Sequence, residues 1–169
     1  MLIGYPHTTD KLQYTELRSN CLESLTSLTM FHMVAATTLV AVLDDEPEMR
    51  KALRRVLASR GFRVDEYERG EDLFAAIETH TPDCLVLDLR MPGLDGFCVL
   101  EAFRCRHIRL PVVVVTALDE PDTEQQVLAL GASACLKKPV DREVLLSAIA
   151  EAMAGAQRPL SQGKTEEVS

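Results

Sequence analysis

Basic residues are scarce in this chain: 18 Lys and Arg stand against 26 Asp and Glu, a net charge of −8 over 169 residues. Duplex affinity comes largely from Lys and Arg neutralising phosphates, so the balance argues against any nucleic-acid surface beyond a small basic patch. No C-x-x-C pair occurs among the five cysteines, Cys21, Cys84, Cys98, Cys105 and Cys135. They read as reduced thiols in a cytoplasmic protein, with Cys84 and Cys135 serving as small hydrophobes inside apolar runs. No G-x-G-x-x-G follows the first apolar run, which sets aside a dinucleotide-binding domain. A basic flank is missing from the weakly polar stretch Leu25 to Leu43, which holds His32 and several Ser and Thr and runs into Asp44 and Asp45. It reads as a linker leading into a buried strand, not as a signal peptide or membrane span. Internal repeats are also absent.

What is present is enough apolar material, 47% of residues, for one packed domain. From Leu39 onward short β-branched runs alternate with amphipathic segments. Strands are expected at Leu39–Leu43, Phe62–Tyr67, Cys84–Asp88, from Pro111 to Thr116, and at Ala134–Lys137; the second, more polar one should lie near an edge. Helices are expected from Pro47 to Gly61, after Gly70, over Asp95–Phe103, over Asp122–Leu130, and after a capping Asp141. Five strands alternating with five helices predict an α/β doubly wound sheet of parallel strands. Residues 1–36 stand outside the pattern as a flexible or partly helical extension, with Leu17, Cys21, Leu25 and Leu28 at helical spacing. Met33, just ahead of the first strand, leaves an alternative start open. The domain itself should span 37–154, and the polar 155–169 should form a loose tail.

In a parallel sheet the ligand site lies beyond the carboxyl ends of the strands. The first strand ends in Asp44-Asp45, the third in Asp88, the fourth in Thr116 and the fifth runs into Lys138-Pro139. Each residue has an ordinary explanation when taken alone. Asp44-Asp45 before Pro47 would cap a helix, Thr116 is a common strand residue, and Lys138 would be a solvated charge. Asp88 is harder to dismiss, because the turn Met91-Pro92-Gly93 separates it from the next helix. Together they bring three carboxylates, a hydroxyl and an ammonium to one edge. Clustered carboxylates repel unless a cation joins them, and oxygen donors without His or Cys favour a hard ion such as Mg²⁺. An aspartate there can act as a nucleophile toward phosphorus, with metal and lysine neutralising the phosphoryl oxygens.

The segment from about Thr38 to Met153 resembles the receiver domain of bacterial two-component response regulators. The resemblance rests on Asp44-Asp45, on Leu87-Asp88-Leu89-Arg90-Met91-Pro92-Gly93-Leu94-Asp95-Gly96, on Thr116-Ala117 and on Lys138-Pro139. It implies a flavodoxin-like sheet of order 2-1-3-4-5 and a phosphoacceptor role for Asp88. It further implies Mg²⁺ held by Asp44, Asp45, Asp88 and the backbone carbonyl of Arg90, with Thr116 and Lys138 contacting the phosphoryl oxygens. The lysine–proline peptide would be cis, a sensor histidine kinase would be the donor, and the output would pass to a protein target whose identity the residues do not reveal. No direct nucleic-acid or membrane contact is expected. The chain would be a stand-alone receiver, taking part in its own phosphotransfer without being an enzyme.

Two departures from the family pattern stand out. Cys135 occupies the position, three before the lysine, where an aromatic ring commonly reports phosphorylation, which weakens the usual coupling to Thr116. Arg90 and Leu118, two past Asp88 and Thr116, offer no carboxylate or amide to orient water, which implies slow self-dephosphorylation. A binding module that keeps the receiver shape without phosphorylation is the main alternative, though such sequences usually lose one of the acids or the lysine. A haloacid-dehalogenase-type phosphatase would need D-x-D at the nucleophile, where Arg90 stands instead.

Overall fold

The chain runs β1 (Leu39–Leu43), α1 (Pro47–Ala58), β2 (Arg63–Tyr67), α2 (Gly70–Ile77), β3 (Cys84–Leu87), α3 (Gly96–Cys105), β4 (Val112–Thr116), α4 (Thr123–Ala129), β5 (Ala134–Lys137) and α5 (Arg142–Ala156). This computed structural model describes residues 38–118 and 120–156. The expected extension over 1–36 lies outside the described residues, as does the expected tail apart from residues 155 and 156, which continue α5. None of the described helices is long and apolar enough to cross a membrane.

All strand pairs are parallel, in the order β2-β1-β3-β4-β5 that the resemblance implied. Period-two alternation explains why the inner strands are apolar throughout: each successive side chain enters the core on the opposite face. Ala41, Leu43, Leu85, Leu87, Val112 and Val114 pack on one face with Leu73, Val99, Leu100, Phe103 and Val127, contributed by α2, α3 and α4. Val40, Val42, Val86, Val113 and Val115 pack on the other with Leu53, Leu57, Leu145 and Ile149 of α1 and α5. β1, β3 and β4 are buried at every position, while the edge strands β2 and β5 are half-buried. Cys84 shares this burial, which pushes its thiol pKa up to about 12, but Cys135 on edge strand β5 is only half-buried. Cys84, Cys98, Cys105 and Cys135 are all free thiols.

Local chemistry sets the helix ends. Pro47 opens α1 where a missing N–H costs nothing. Asp95 caps α3 by accepting the Cys98 N–H at 2.9 Å, and Asp141 caps α5 through Glu143 N–H at 2.8 Å. Phe62, expected to begin β2, lies one residue before it. Its N–H turns back to the Leu57 carbonyl at 3.3 Å, across Gly61 at φ +88°, so the residue closes α1 and buries its ring instead. Likewise β4 begins at Val112, because Pro111 has no N–H to give the ladder.

Leu87, wholly buried, and Val144, half-exposed, are natural contrasts. Leu87→Ala should cost about 2–5 kcal/mol of stability, read as a lower urea midpoint with an unchanged slope. Val144→Ala should stay within about 0.5 kcal/mol; equal losses for the two would refute the burial assignment.

Candidate functional site

Strand order brings the acids together. The ladders continue for one residue past the strands: Asp44 N–H donates to the Tyr67 carbonyl at 3.2 Å, and Asp88 N–H donates to the Leu43 carbonyl at 2.9 Å. Asp44 and Asp88 therefore sit at the ends of the adjacent strands β1 and β3, where the chain order switches direction. Asp88, expected as the last residue of β3, is the first residue beyond it. Carboxylate oxygens of Asp44, Asp45 and Asp88 all lie within 4.8 Å of one another, Asp44 and Asp88 buried and Asp45 half-buried.

Lys138 reaches the cluster from the far side of β4. Its backbone N–H donates to the Thr116 carbonyl at 2.8 Å, and the Lys138–Pro139 peptide is cis, as the resemblance implied. The ammonium stands 2.8 Å from Asp44 Oδ2 and 3.5 Å from Asp88 Oδ2. Burial on its own pulls that ammonium down, but the Asp44 hydrogen bond and the charges of Asp44, Asp88 and Glu46 outweigh it and hold the pKa above the ordinary lysine value. Burial pushes the Asp88 carboxyl up, and Asp44 adds to the push, more strongly than Lys138 pulls it down. Asp44 is fully committed: its other oxygen accepts the Glu46 N–H at 2.8 Å. The capping alternative thus survives in a reduced form, since Asp44 supports the loop before α1 while Glu46 is the N-cap.

Thr116 is buried at the end of β4, and its hydroxyl oxygen accepts the Leu118 N–H at 3.1 Å. Arg90 is exposed in the loop after Asp88. Cys135 lines a cleft of about 550 Å³ together with Thr116, Leu118 and Leu128, so the position of the expected aromatic ring is open. Gly96 has a steric role that its place in the motif did not reveal. A Cβ there would run into the Asp88 carbonyl oxygen and lie 2.8 Å from Leu89 Cα, so only glycine lets α3 start against the Asp88 loop. Sequence reasoning also passed over Arg50, whose guanidinium donates to the Asp44 carbonyl at 2.6 Å and to Glu68 at 3.2 Å. An arginine in the second turn of an amphipathic helix carries no signal of its own.

This geometry coincides with a known family. Residues 40–150 match the response regulator receiver domain. The chain belongs to that family. It is similar to the DNA-binding transcriptional regulator NtrC of Salmonella typhimurium, 37% identical over 73% of this chain and 25% of that protein. It is similar also to the transcriptional regulatory protein KdpE of Mycobacterium tuberculosis, 34% identical over 69% of this chain and 51% of that one. The chain thus spans a quarter to a half of the length of these relatives. Among solved structures, the receiver domain of the Francisella response regulator 1452 matches with a TM-score of 0.67 at 25% identity, over 72% of this chain and all of that one.

The receiver site as it stands has one unmet demand. Asp88 Oδ1 is buried without a hydrogen-bond partner, and such an atom carries a substantial desolvation penalty. Three carboxylates against one ammonium leave the edge negative, and an all-oxygen donor set suits a hard divalent cation. The residues present therefore fit Mg²⁺.

Because its pKa is raised in the folded state, Asp88 contributes stability that is present below the ordinary carboxylate pKa and lost as pH rises through the folded value. Asp88→Asn should consequently raise the melting temperature at pH 7 in chelator, with the gain shrinking toward pH 4. Adding Mg²⁺ should raise the melting temperature of the wild type more than that of the variant. A variant no more stable than wild type at pH 7, or an identical response to Mg²⁺, would contradict this account.

Proposed function

We propose that the chain accepts a phosphoryl group on Asp88 from a sensor histidine kinase and signals through contact with another protein. The reading is carried by Asp88: one oxygen lies 3.5 Å from the Lys138 ammonium and the other is buried and unpartnered. In the transfer an Asp88 oxygen attacks phosphorus while the bond to the donor histidine nitrogen breaks, and that nitrogen keeps the electron pair. Asp44, Asp45, Asp88 and the Arg90 backbone carbonyl would hold Mg²⁺, which when bound neutralises charge on the acids and the phosphoryl oxygens. Lys138 stays protonated, its raised pKa making it a fixed positive charge for the incoming oxygens. Thr116 accepts Leu118 N–H on its oxygen and keeps its own proton to donate to a phosphoryl oxygen.

On this reading the protein is a phosphoacceptor that takes part in its own phosphorylation and dephosphorylation, rather than an enzyme turning over a separate substrate. A cytoplasmic setting agrees with the free thiols of Cys84, Cys98, Cys105 and Cys135. The net charge of −8 supports a protein target over direct nucleic-acid contact. Incubation with acetyl phosphate and Mg²⁺ should add one phosphoryl group by intact mass, lost in Asp88→Asn and in chelator. Wild type left unlabelled would favour the receiver-shaped binding module instead.

Arg90 is exposed and Leu118 half-buried on the two loops that border Asp88 and Thr116, and neither side chain can act as a base toward water. The aspartyl phosphate should therefore be long-lived. Leu118→Glu should shorten its lifetime on the order of tenfold or more, followed by the decay of the phosphorylated mass; an unchanged lifetime would count against the assignment.

A further inference from the structure

We infer that Arg50 is a positioning residue for cation binding at the acidic pair, an inference that rests on the Mg²⁺ site proposed above. Asp44 is 1% exposed and all four of its polar handles are engaged. Its N–H meets Tyr67, its two side-chain oxygens meet Glu46 N–H and Lys138, and its carbonyl accepts from Arg50 Nη1 at 2.6 Å. The first three bonds come from the sheet ladder, from the turn itself and from the phosphoryl-binding lysine. Only the Arg50 bond is made by a side chain with no other duty at the site.

Its geometry limits what Arg50 does. The side chain is 12% exposed, so its charge is largely removed from water. Nη2 reaches Glu68 Oε2 at 3.2 Å, and Glu68 follows β2, whose Tyr67 carbonyl receives Asp44 N–H. One planar guanidinium thus ties the loop after β1 to the loop after β2, a two-point bridge that the fork of arginine makes and the point charge of lysine does not. Fixing the Asp44 carbonyl fixes the peptide between Asp44 and Asp45, and so the relative direction of the two carboxylates that would meet the ion.

Two effects of this residue on a cation oppose each other. Through space, a guanidinium repels a divalent ion, although its pairing with Glu68 reduces that repulsion. Through the backbone, it holds the donors where the ion needs them. If charge alone mattered, removing Arg50 would tighten Mg²⁺ binding; if positioning dominates, removal weakens it. Loss of a group that orients metal ligands commonly costs about 10–100-fold in affinity, and the Glu68 carboxylate 3.2 Å from the guanidinium makes the repulsion the smaller effect.

Isothermal titration of the full chain with MgCl₂, after chelator treatment, separates these cases. Arg50→Met should weaken Mg²⁺ binding about tenfold or more, and Arg50→Lys should fall between it and wild type. Arg54→Met removes the same charge from α1, but from a pair with Glu66 in which Arg54 is 62% exposed; its affinity should match wild type. Arg50→Met binding as tightly as wild type or tighter overturns the inference, as does an equal loss in Arg54→Met. Should Arg50→Met not fold, Arg50→Lys decides alone: several-fold weaker binding supports the inference and wild-type affinity overturns it. A wild type that does not bind Mg²⁺ overturns this inference together with the proposed metal site. A wild type that binds Mg²⁺ but takes no phosphoryl group from acetyl phosphate overturns the phosphoacceptor reading alone, and the Arg50 comparison still stands.

Discussion

Carboxylates buried together at the ends of neighbouring parallel strands require a cation, and the Lys138 ammonium meets that requirement here. It stands 2.8 Å from Asp44 and 3.5 Å from Asp88, close enough for each pair to offset part of the cost of leaving water. The remaining architecture can be understood as the means of delivering it. β4 lies between β3 and β5, so Lys138 must cross a strand to reach the acids, and its backbone is anchored to Thr116 at the end of that strand. Neutralisation is incomplete by design of the sequence: three acids face one ammonium, and one Asp88 oxygen is left over. A site short of positive charge in this way suits a hard divalent ion.

The sheet makes such a site possible because it is stiff. Every residue of β1, β3 and β4 is buried, and both faces are filled by interdigitating aliphatic side chains from five helices. The aspartates do not have to organise the strands; they terminate strands already held by packing. That separation of labour allows an uncomfortable buried charge to persist, since the penalty falls on a small part of a large core.

The same separation explains what could be read from the residues alone. An inner parallel strand is a continuous apolar run, so the polar residue that ends it announces itself, and Asp44, Asp88 and Thr116 were visible in this way; Lys138 follows the edge strand β5 and stood out only beside them. The strand order followed from the family resemblance rather than from periodicity. Features whose cause is spatial stayed hidden. Gly96 looked like part of a motif, but its reason is the Asp88 carbonyl directly beneath it. Phe62 has strand propensity, yet its N–H is taken by the helix before it. Arg50 resembled any solvated helix arginine until the carbonyl it grips was located.

Cys135 turns the question from chemistry to transmission. With a thiol in place of a ring, the space beside Thr116 is a cleft reaching Leu118 and Leu128. There is little bulk at that position to swing between inward and outward states. The remaining connection is a short-range hydrogen bond: the Thr116 oxygen accepts the Leu118 N–H at 3.1 Å, so whatever reorients that hydroxyl acts directly on Leu118. Leu118 is half-buried and borders the cleft, so it stands where a change at Thr116 would be felt first. A hydroxyl drawn toward a phosphoryl oxygen would pull on that N–H, and the apolar Leu118 side chain would move relative to α4 and β5. The absence of a water-orienting group at Leu118 fits such a role, because a side chain that must pack and shift is ill suited to hold a water in line with the phosphorus. Long phosphoryl lifetime and loop-borne signalling would then be two consequences of one residue choice.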